Sequence, residues 1–508
     1  MKEKIILFTL LISLLAGCED VLDKKPFVSI PVDELFTDVD GAQLALTGVY
    51  NTITHEDYYG RLIYAFEGSK GPDFYVEDTG NRFQEENGYR ETSTNDAYAD
   101  AAWDKIYKTV FLCNNILKYI DTIEGDETEI ARIKGETLAL RGLAYFDLMR
   151  LFAYPPIFSI PGGEKYDDKY KWGVPLLLSK EEHTVAETNP PKRSEATACF
   201  TQIIEDFQSA ATLLNGIEAS NGRISYDATQ TLKARSHLYL GEWPNAINSA
   251  LAAIGAGTMI DYKEYVFTYF KKYNSENLWE LDYSLADNLS SNSINNLTRN
   301  PTIDIPGHPN DGKIADGGIG YAGYGGNIYL REVLRAERND DDGSYKDVRT
   351  YLICDNELGD ETGIRKYIGD GAHAVHNVTL VRLPEVYLTL AEAYAEEDEY
   401  TLALEYLNEV TEVRLDSTFE FTTKEKLISD VLIERRKELV MEGHTFWDHF
   451  RRAIPFDREA EGNVSNDVAY IDYTQPQVVY PIPENEMESN PNIRDQQNPG
   501  YTPYVPGQ

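Results

Sequence analysis

The strongest constraint on the fold is one run of apolar residues at helical spacing in the C-terminal third. Leu383, Val386, Tyr387, Leu390, Ala391 and Tyr394 fall at i, i+3, i+4, i+7, i+8 and i+11, so an α-helix gathers them on one face. A strand, with its period of two, splits them between opposite faces. The spacing predicts a helix over 383–395. The acidic turn Glu396-Glu397-Asp398-Glu399 follows, and Ala403, Tyr406, Leu407 and Val410 mark a second apolar face. Two amphipathic helices joined by a short polar turn form a hairpin, and the alanines allow close approach.

Two further units repeat the pattern. In 229–254, Leu232, Arg235, Leu238 and Tyr239 precede Gly241-Glu242-Trp243, and Ala246, Ile247, Ala250 and Leu251 follow. In 130–152, Leu138, Arg141, Ala144, Tyr145, Leu148 and Leu151 share a face, with 197–214 as the expected partner. The pattern is tetratricopeptide (TPR)-like in outline. Its spacing is uneven, so a regular solenoid is excluded. The fold class is mostly α: a TPR-like helical scaffold with long loop insertions and a few short strands. Trp279, in the strand-like Glu276-Asn277-Leu278-Trp279-Glu280-Leu281, and Trp243 are expected in the core, whereas Trp172 is left open.

The insertions are 58–98, rich in Tyr, Gly, Asp and Asn, and 287–329, which includes the glycine-rich run 317–326. Loops this long in a compact chain are functional or disordered. Aromatics set among glycines favour function. The chain has 35 Tyr against 19 Phe, and a tyrosine ring suits places where one end is wet.

Charge removes several function classes. With 47 Lys and Arg against 85 Asp and Glu, the formal net charge is −38. Nucleic acid needs clustered cations, and anionic lipid head groups repel such a chain. At the N-terminus, Lys2 and Lys4 precede an apolar run from Ile5 to Leu15. The run suits a signal peptide and is too short to span a bilayer. Leu15-Ala16-Gly17-Cys18 resembles the lipobox of bacterial lipoproteins, so residues 1–17 read as a signal peptide and Cys18 as the lipidated residue. Loss of 1–17 removes Lys2, Glu3 and Lys4 and leaves −39. Glu19-Asp20 resembles an export signal for the outer face of the outer membrane. Cys113, Cys199 and Cys354 are widely spaced and lack a C-x-x-C pair, so they read as buried hydrophobes.

A family resemblance emerges further on. Leu432-Ile433-Glu434-Arg435-Arg436-Lys437-Glu438-Leu439, Glu442-Gly443-His444, Phe446-Trp447-Asp448 and Arg451-Arg452 closely resemble the "ERRRELA-EG-R-FDL-R" signature of the SusD/RagB family of outer-membrane glycan-binding lipoproteins. Tyr480-Pro481-Ile482-Pro483-Glu484-Asn485-Glu486, Asn490-Pro491 and Gln497-Asn498-Pro499-Gly500-Tyr501 resemble its closing motif. Arg382-Leu383-Pro384-Glu385, Asp347-Val348-Arg349, Trp103 with Asn114-Asn115-Ile116, and Glu136 with Arg141 and Tyr145 add matches in the expected order.

The resemblance implies one SusD-like domain over 18–508, with an N-terminal half 18–225 and a C-terminal half 226–508. It implies a non-enzymatic surface lipoprotein that captures oligo- or polysaccharide and passes it to a SusC-like TonB-dependent transporter. The expected location is the outer membrane, lipid-anchored and facing outward. Sugar rings stack on aromatics, and their hydroxyls pair with Asn, Asp and Arg. The glycan-binding candidates are Asp73, Phe74, Tyr75, Asp78, Asn81 and Arg82 in the first loop, and Tyr283, Asn292, Asn295, Tyr321 and Tyr324 in or beside the second.

Glu434, Arg435, Glu438 and Glu442 stand at helical spacing, and a structural Arg–Glu network is expected in place of a catalytic acid–base pair. The rivals are a glycoside hydrolase, which needs such a pair, and a TPR-type lipoprotein that binds peptide or protein. No cofactor or metal is expected. Asn339-Asp340-Asp341-Asp342-Gly343 fails as an EF-hand, because Arg338 and Arg349 fall at positions one and twelve. A structural calcium ion outside that motif stays open. His373 and His376 lack a ligand partner at suitable spacing, and Walker A, G-x-S-x-G and Rossmann patterns are absent.

Overall fold

The computed structural model describes residues 35–76, 82–94, 96–255, 257–298, 324–326, 339, 344–353, 364, 366–367, 375–415, 417–458 and 466–505. Cys18, the 1–17 segment and Cys354 lie outside them. The main helices are α1 (Val39–Ile53), α2 (Leu62–Lys70), the short α3 (Gln84–Asn87), α4 (Ala97–Tyr119), α5 (Glu127–Phe152), α6 (Ala196–Leu214), α7 (Tyr226–Leu240), α8 (Trp243–Ala253), α9 (Leu383–Glu396), α10 (Tyr400–Leu415), α11 (Lys424–Leu439) and α12 (Thr445–Arg451).

The predicted hairpins form. Helices α5 and α6 pack together, as do α7 with α8 and α9 with α10, and α4, α6 and α8 carry contacts onward to α5, α7 and α9. Helix starts follow from capping chemistry: Asp38, Asp96, Asp126, Ser225 and Thr423 each accept N–H bonds at an N-terminus. Small residues set the spacing where α7, α8 and α9 meet, with Ala234, Ala250 and Ala253 against Leu383, Val386 and Leu390. Among the described residues no helix is long and apolar enough to cross a membrane.

Strands are few and short. Strand β1 (Phe74–Val76) pairs antiparallel with β3 (Tyr324–Gly326), in the register Phe74↔Gly326 and Val76↔Tyr324. Strand β2 (Asn277–Leu281) pairs antiparallel with β4 (Val378–Arg382), with an irregularity around Trp279. Trp279 is buried, as expected. Trp243 is only half-buried, a correction: it opens α8 at the scaffold edge, where Arg452 approaches its ring at 6.0 Å. Trp172 is also half-buried, bridging to Glu195 with Lys171 above its ring.

Cys113 and Cys199 are buried, and burial pushes the Cys199 thiol up to about 12. The C-terminal tail folds back onto the first half of the chain. Tyr480 N–H donates to the Leu151 carbonyl at 2.8 Å, Asn498 Nδ2 to the Phe152 carbonyl at 2.9 Å, and Trp103 Nε1 to Glu486 at 3.2 Å. Arg193, fully enclosed, donates to the Gln496 carbonyl and to Asn498 Oδ1.

Candidate functional site

The signature helix α11 is part of the scaffold. Glu438 accepts from Arg382 Nη1 at 2.8 Å and Arg414 Nε at 3.0 Å, and lies 3.5 Å from Arg349 Nη1. Arg414 Nη2 reaches Glu276 at 2.6 Å, Arg349 Nη2 reaches Glu434 at 2.6 Å, and Arg382 forks onto Glu442. Lys366 joins Glu442, Lys437 joins Glu434, and Arg349 also pairs with Asp347. Five cations thus meet five carboxylates, all buried.

Burial alone pushes the Glu438 carboxyl up, but Arg414, Arg382 and Arg349 outweigh it and hold the group below the usual carboxylate range. Glu442 and Glu434 are held low in the same manner by their own cations. A general acid needs the opposite perturbation. Arg435 belongs to a neighbouring pair, donating to Asp448 at 2.7 Å.

The two insertions converge elsewhere. Arg82 Nη1 donates to the Ser291 carbonyl at 2.6 Å and Nη2 to Asn292 Oδ1 at 2.9 Å. Asn292 Nδ2 donates in turn to Glu56 Oε1 at 2.7 Å. Ile294 N–H bonds the Gly60 carbonyl, and strands β1 and β3 join the same insertions a second time. The junction therefore brings Arg82 and Asn292 together from positions 210 residues apart.

Gly60 stands where a side chain has little room, between its own turn and Leu289 of the other insertion. A Cβ there would stand 2.4 Å from Leu289 Cδ1 and 2.5 Å from the Thr54 carbonyl. Phe83 and Ser290, one on each insertion, have φ of 55° and 49°. Left-handed backbone costs free energy in a residue with a side chain and concentrates at functional sites. Beside Arg82, the rings of Phe83 and Tyr98 stack at 4.0 Å with 9° between planes, and Arg61 lies 5.6 and 5.5 Å from their centroids. Tyr98 is half-buried, whereas Phe83 is buried. Asp57, half-buried, closes the group at 3.4 Å from Arg61. An aromatic ring beside amide, guanidinium and carboxylate groups can stack on an apolar face and bond to hydroxyls.

Several predicted contact residues face inward. Phe74 is 2% exposed on β1, and Tyr283 is 5% exposed with its hydroxyl donating to the Thr54 carbonyl at 2.6 Å. Asn295 is 1% exposed and donates to the Tyr367 carbonyl. Asp73 is buried against Arg436, with Arg436 Nε at 2.7 Å, and Tyr75 is buried beside Phe74. These side chains hold the insertions to the scaffold and leave little surface for a ligand. Tyr324 lies opposite Val76 in the β1–β3 register. Asp78, Asn81 and Tyr321 lie outside the described residues, as do Asp340 to Gly343 and His373. Among the described residues no group of three or more His, Cys, Asp or Glu could hold a metal ion.

Sequence reasoning missed Tyr98, Phe83, Arg61 and Glu56. Tyr98 had a usable signal, since it ends the first aromatic-rich insertion just inside the capped start of α4. Glu56 and Arg61 had none, because a single charge beside a helix is ordinary.

Comparison with known proteins places the chain among relatives of one kind. A family model described as "Starch-binding associating with outer membrane" matches residues 21–238, and one described as "SusD family" matches 363–501. SusD-like protein P25 of Formosa agariphila is 23% identical, with 98% of this chain and 99% of that protein covered. The crystal structure of a SusD superfamily protein from Bacteroides thetaiotaomicron superposes with a TM-score of 0.77 at 26% identity, covering 91% of this chain and 100% of that one. A laminarin-binding SusD-like protein superposes with a TM-score of 0.68 at 20% identity, covering 92% of this chain and 100% of that one, a likeness of fold.

Proposed function

The chain belongs to the SusD-like family, and on that premise we propose that it captures oligo- or polysaccharide at the cell surface and passes it to a SusC-like TonB-dependent transporter. In this reading Cys18 carries the lipid anchor, and the protein sits on the outer membrane facing outward. The observation that carries the reading is the junction of the two insertions, where Arg82, Asn292 and Glu56 interlock beside the half-buried ring of Tyr98. A pyranose offers an apolar C–H face to such a ring and hydroxyls to its polar neighbours. The starch-binding description of the matched family and the laminarin binder among the structural neighbours lend the reading support.

The proposed contact set is Asn292 and Tyr98, with Arg82 holding Asn292 in place and Asp78, Asn81, Tyr321 and Tyr324 contributing from the same insertions. Capture proceeds by stacking and hydrogen bonding, with no bond broken. Affinity gels cast with a panel of polysaccharides test this directly. Retardation by at least one glycan is expected, with no reducing ends released on incubation. Tyr98→Ala should weaken retardation about 5- to 30-fold, the loss of about 1–2 kcal/mol of aromatic contact at tenfold per 1.4 kcal/mol. Retardation unchanged in Tyr98→Ala and in the Tyr321→Ala/Tyr324→Ala pair would refute the site. Co-purification with a SusC-like transporter from the same cells tests the hand-off.

A further inference from the structure

We infer that the junction selects neutral glycans and discriminates against polyanionic ones, such as uronate or sulfated polymers. The inference rests on the reading of the junction as a glycan site and adds the chemical class of its ligand. Recognition of a polyanion needs guanidinium or ammonium groups free to face the ligand's carboxylates or sulfates. Among the described residues of this junction the guanidiniums are already engaged with protein acceptors. Arg82 is engaged with the Ser291 carbonyl and Asn292, Arg61 pairs with Asp57 under two rings, and Arg90 is held by Glu85 and the Gln84 carbonyl.

The carboxylates outnumber them. Over the stretches 55–61, 82–90 and 283–292, Glu56, Asp57, Glu85, Glu86 and Asp287 stand against Arg61, Arg82 and Arg90, and Lys272 is engaged with the Tyr283 carbonyl at 3.2 Å. Glu86 is buried, where burial first and then Asp96 and Glu91 raise its carboxyl, so it weighs least. Asp287 is exposed. The chain as a whole carries −38, so an approaching polyanion meets repulsion at both short and long range.

Salt separates this electrostatic exclusion from a merely poor steric fit. Repulsion between exposed charges is screened over about 10 Å at 0.1 M salt. Residual binding of an anionic glycan should therefore strengthen as salt rises, the reverse of the weakening seen when cations hold a polyanion. Binding of a neutral glycan should not respond.

The experiment sets a panel of neutral polysaccharides (laminarin, starch, dextran, mannan) beside anionic ones (alginate, polygalacturonate, dextran sulfate) in affinity gels at 20 and 300 mM NaCl. Retention of at least one neutral glycan at both salts is expected, with anionic retention at least tenfold weaker at low salt. Asp287→Lys changes an exposed side chain outside the interlocked group. It should improve anionic retention at low salt by about threefold, on the order expected for two charges near 10 Å in water, and leave neutral binding within a factor of two. An anionic glycan held as tightly as the best neutral one, or held more weakly as salt rises, would overturn the inference while leaving glycan capture intact. Retention of no glycan of either class would instead overturn the glycan reading itself.

Discussion

Glu438→Gln keeps the shape of the side chain at the centre of the buried ion network and removes one charge. In the parent, Arg349, Arg382, Arg414, Lys366 and Lys437 balance Asp347, Glu276, Glu434, Glu438 and Glu442. The variant leaves four carboxylates for five cations, and its amide N–H groups must face guanidiniums that also only donate. Breaking one partner of a buried pair costs about 3–5 kcal/mol. At an unfolding entropy of about 2.1 cal/mol/K per residue, a folded chain of about 490 residues loses roughly 1 °C of Tm per kcal/mol. The expected fall is therefore about 3–5 °C by scanning calorimetry at pH 7. Arg414→Met alone should cost a similar amount, since it takes from Glu276 its 2.6 Å partner and from Glu438 one of its two bonded guanidiniums. The double variant restores balance and should cost less than the sum of the singles by about 0.5–3 kcal/mol. The pH sign follows from the depressed carboxyl: the contribution is complete above about pH 4.5 and is lost as acid protonates Glu438 in the folded chain. A Glu438→Gln midpoint within 1 °C of the parent, or a double variant whose loss equals the sum, would refute charge balance as the reason these groups are retained.

A second buried cluster predicts an opposite pH dependence. Lys70 pairs with Glu91 and donates to the Gln477 carbonyl, with Glu86 and Asp96 nearby. Burial pushes Glu91 up to about 7 against the pull of Lys70, and Asp96 up to about 6. Raised folded values favour the protonated forms, so this stability is complete below about pH 4.5 and fades as pH rises through 6–7. The parent should melt lower at pH 8 than at pH 5.5, and Glu91→Gln should narrow that gap by about 2 °C or more; an unchanged gap would refute it. Gly60→Ala should push the insertions apart and weaken glycan retention at least fivefold, whereas Gly48→Ala, exposed on α1 with nothing near its added methyl, should stabilise by up to about 1 kcal/mol. Equal effects of the two substitutions on retention would show that the close approach at Gly60 is unimportant.

Helical periodicity made the scaffold readable. The apolar stripe from Leu383 to Tyr394 located α9 to within a residue of Leu383–Glu396, and the 229–254 pattern located α7 and α8. The charges at Glu434, Glu438 and Glu442 were legible as a network because helical spacing put them on one face. Convergence of the two insertions was legible only as an expectation borrowed from resemblance; no local pattern marks the Arg82–Asn292 contact. Orientation within the insertions was not readable. A tyrosine or asparagine that stacks on a ligand and one that bonds a backbone carbonyl have the same sequence signature. Tyr283 and Asn295 took the second course because Thr54 and Tyr367 offered buried acceptors. Trp243 misled for a related reason: a large ring in a hairpin turn can rest under an arginine at the edge as readily as in the core.

The fold-back of the tail sets an order of events during synthesis. Arg193 is buried by groups more than 300 positions downstream, the Leu151 carbonyl at the end of α5 accepts from Tyr480, and the Phe152 carbonyl accepts from Asn498 as well as from Arg193. A nascent chain that has released α5 and α6 but not its last thirty or so residues holds a guanidinium and several carbonyls without their final partners. Closing so long a loop is also slow, because its entropy is lost before the contacts repay it. The polar groups at the end of α5 and at Arg193 therefore gain their full set of partners only when the last residues arrive.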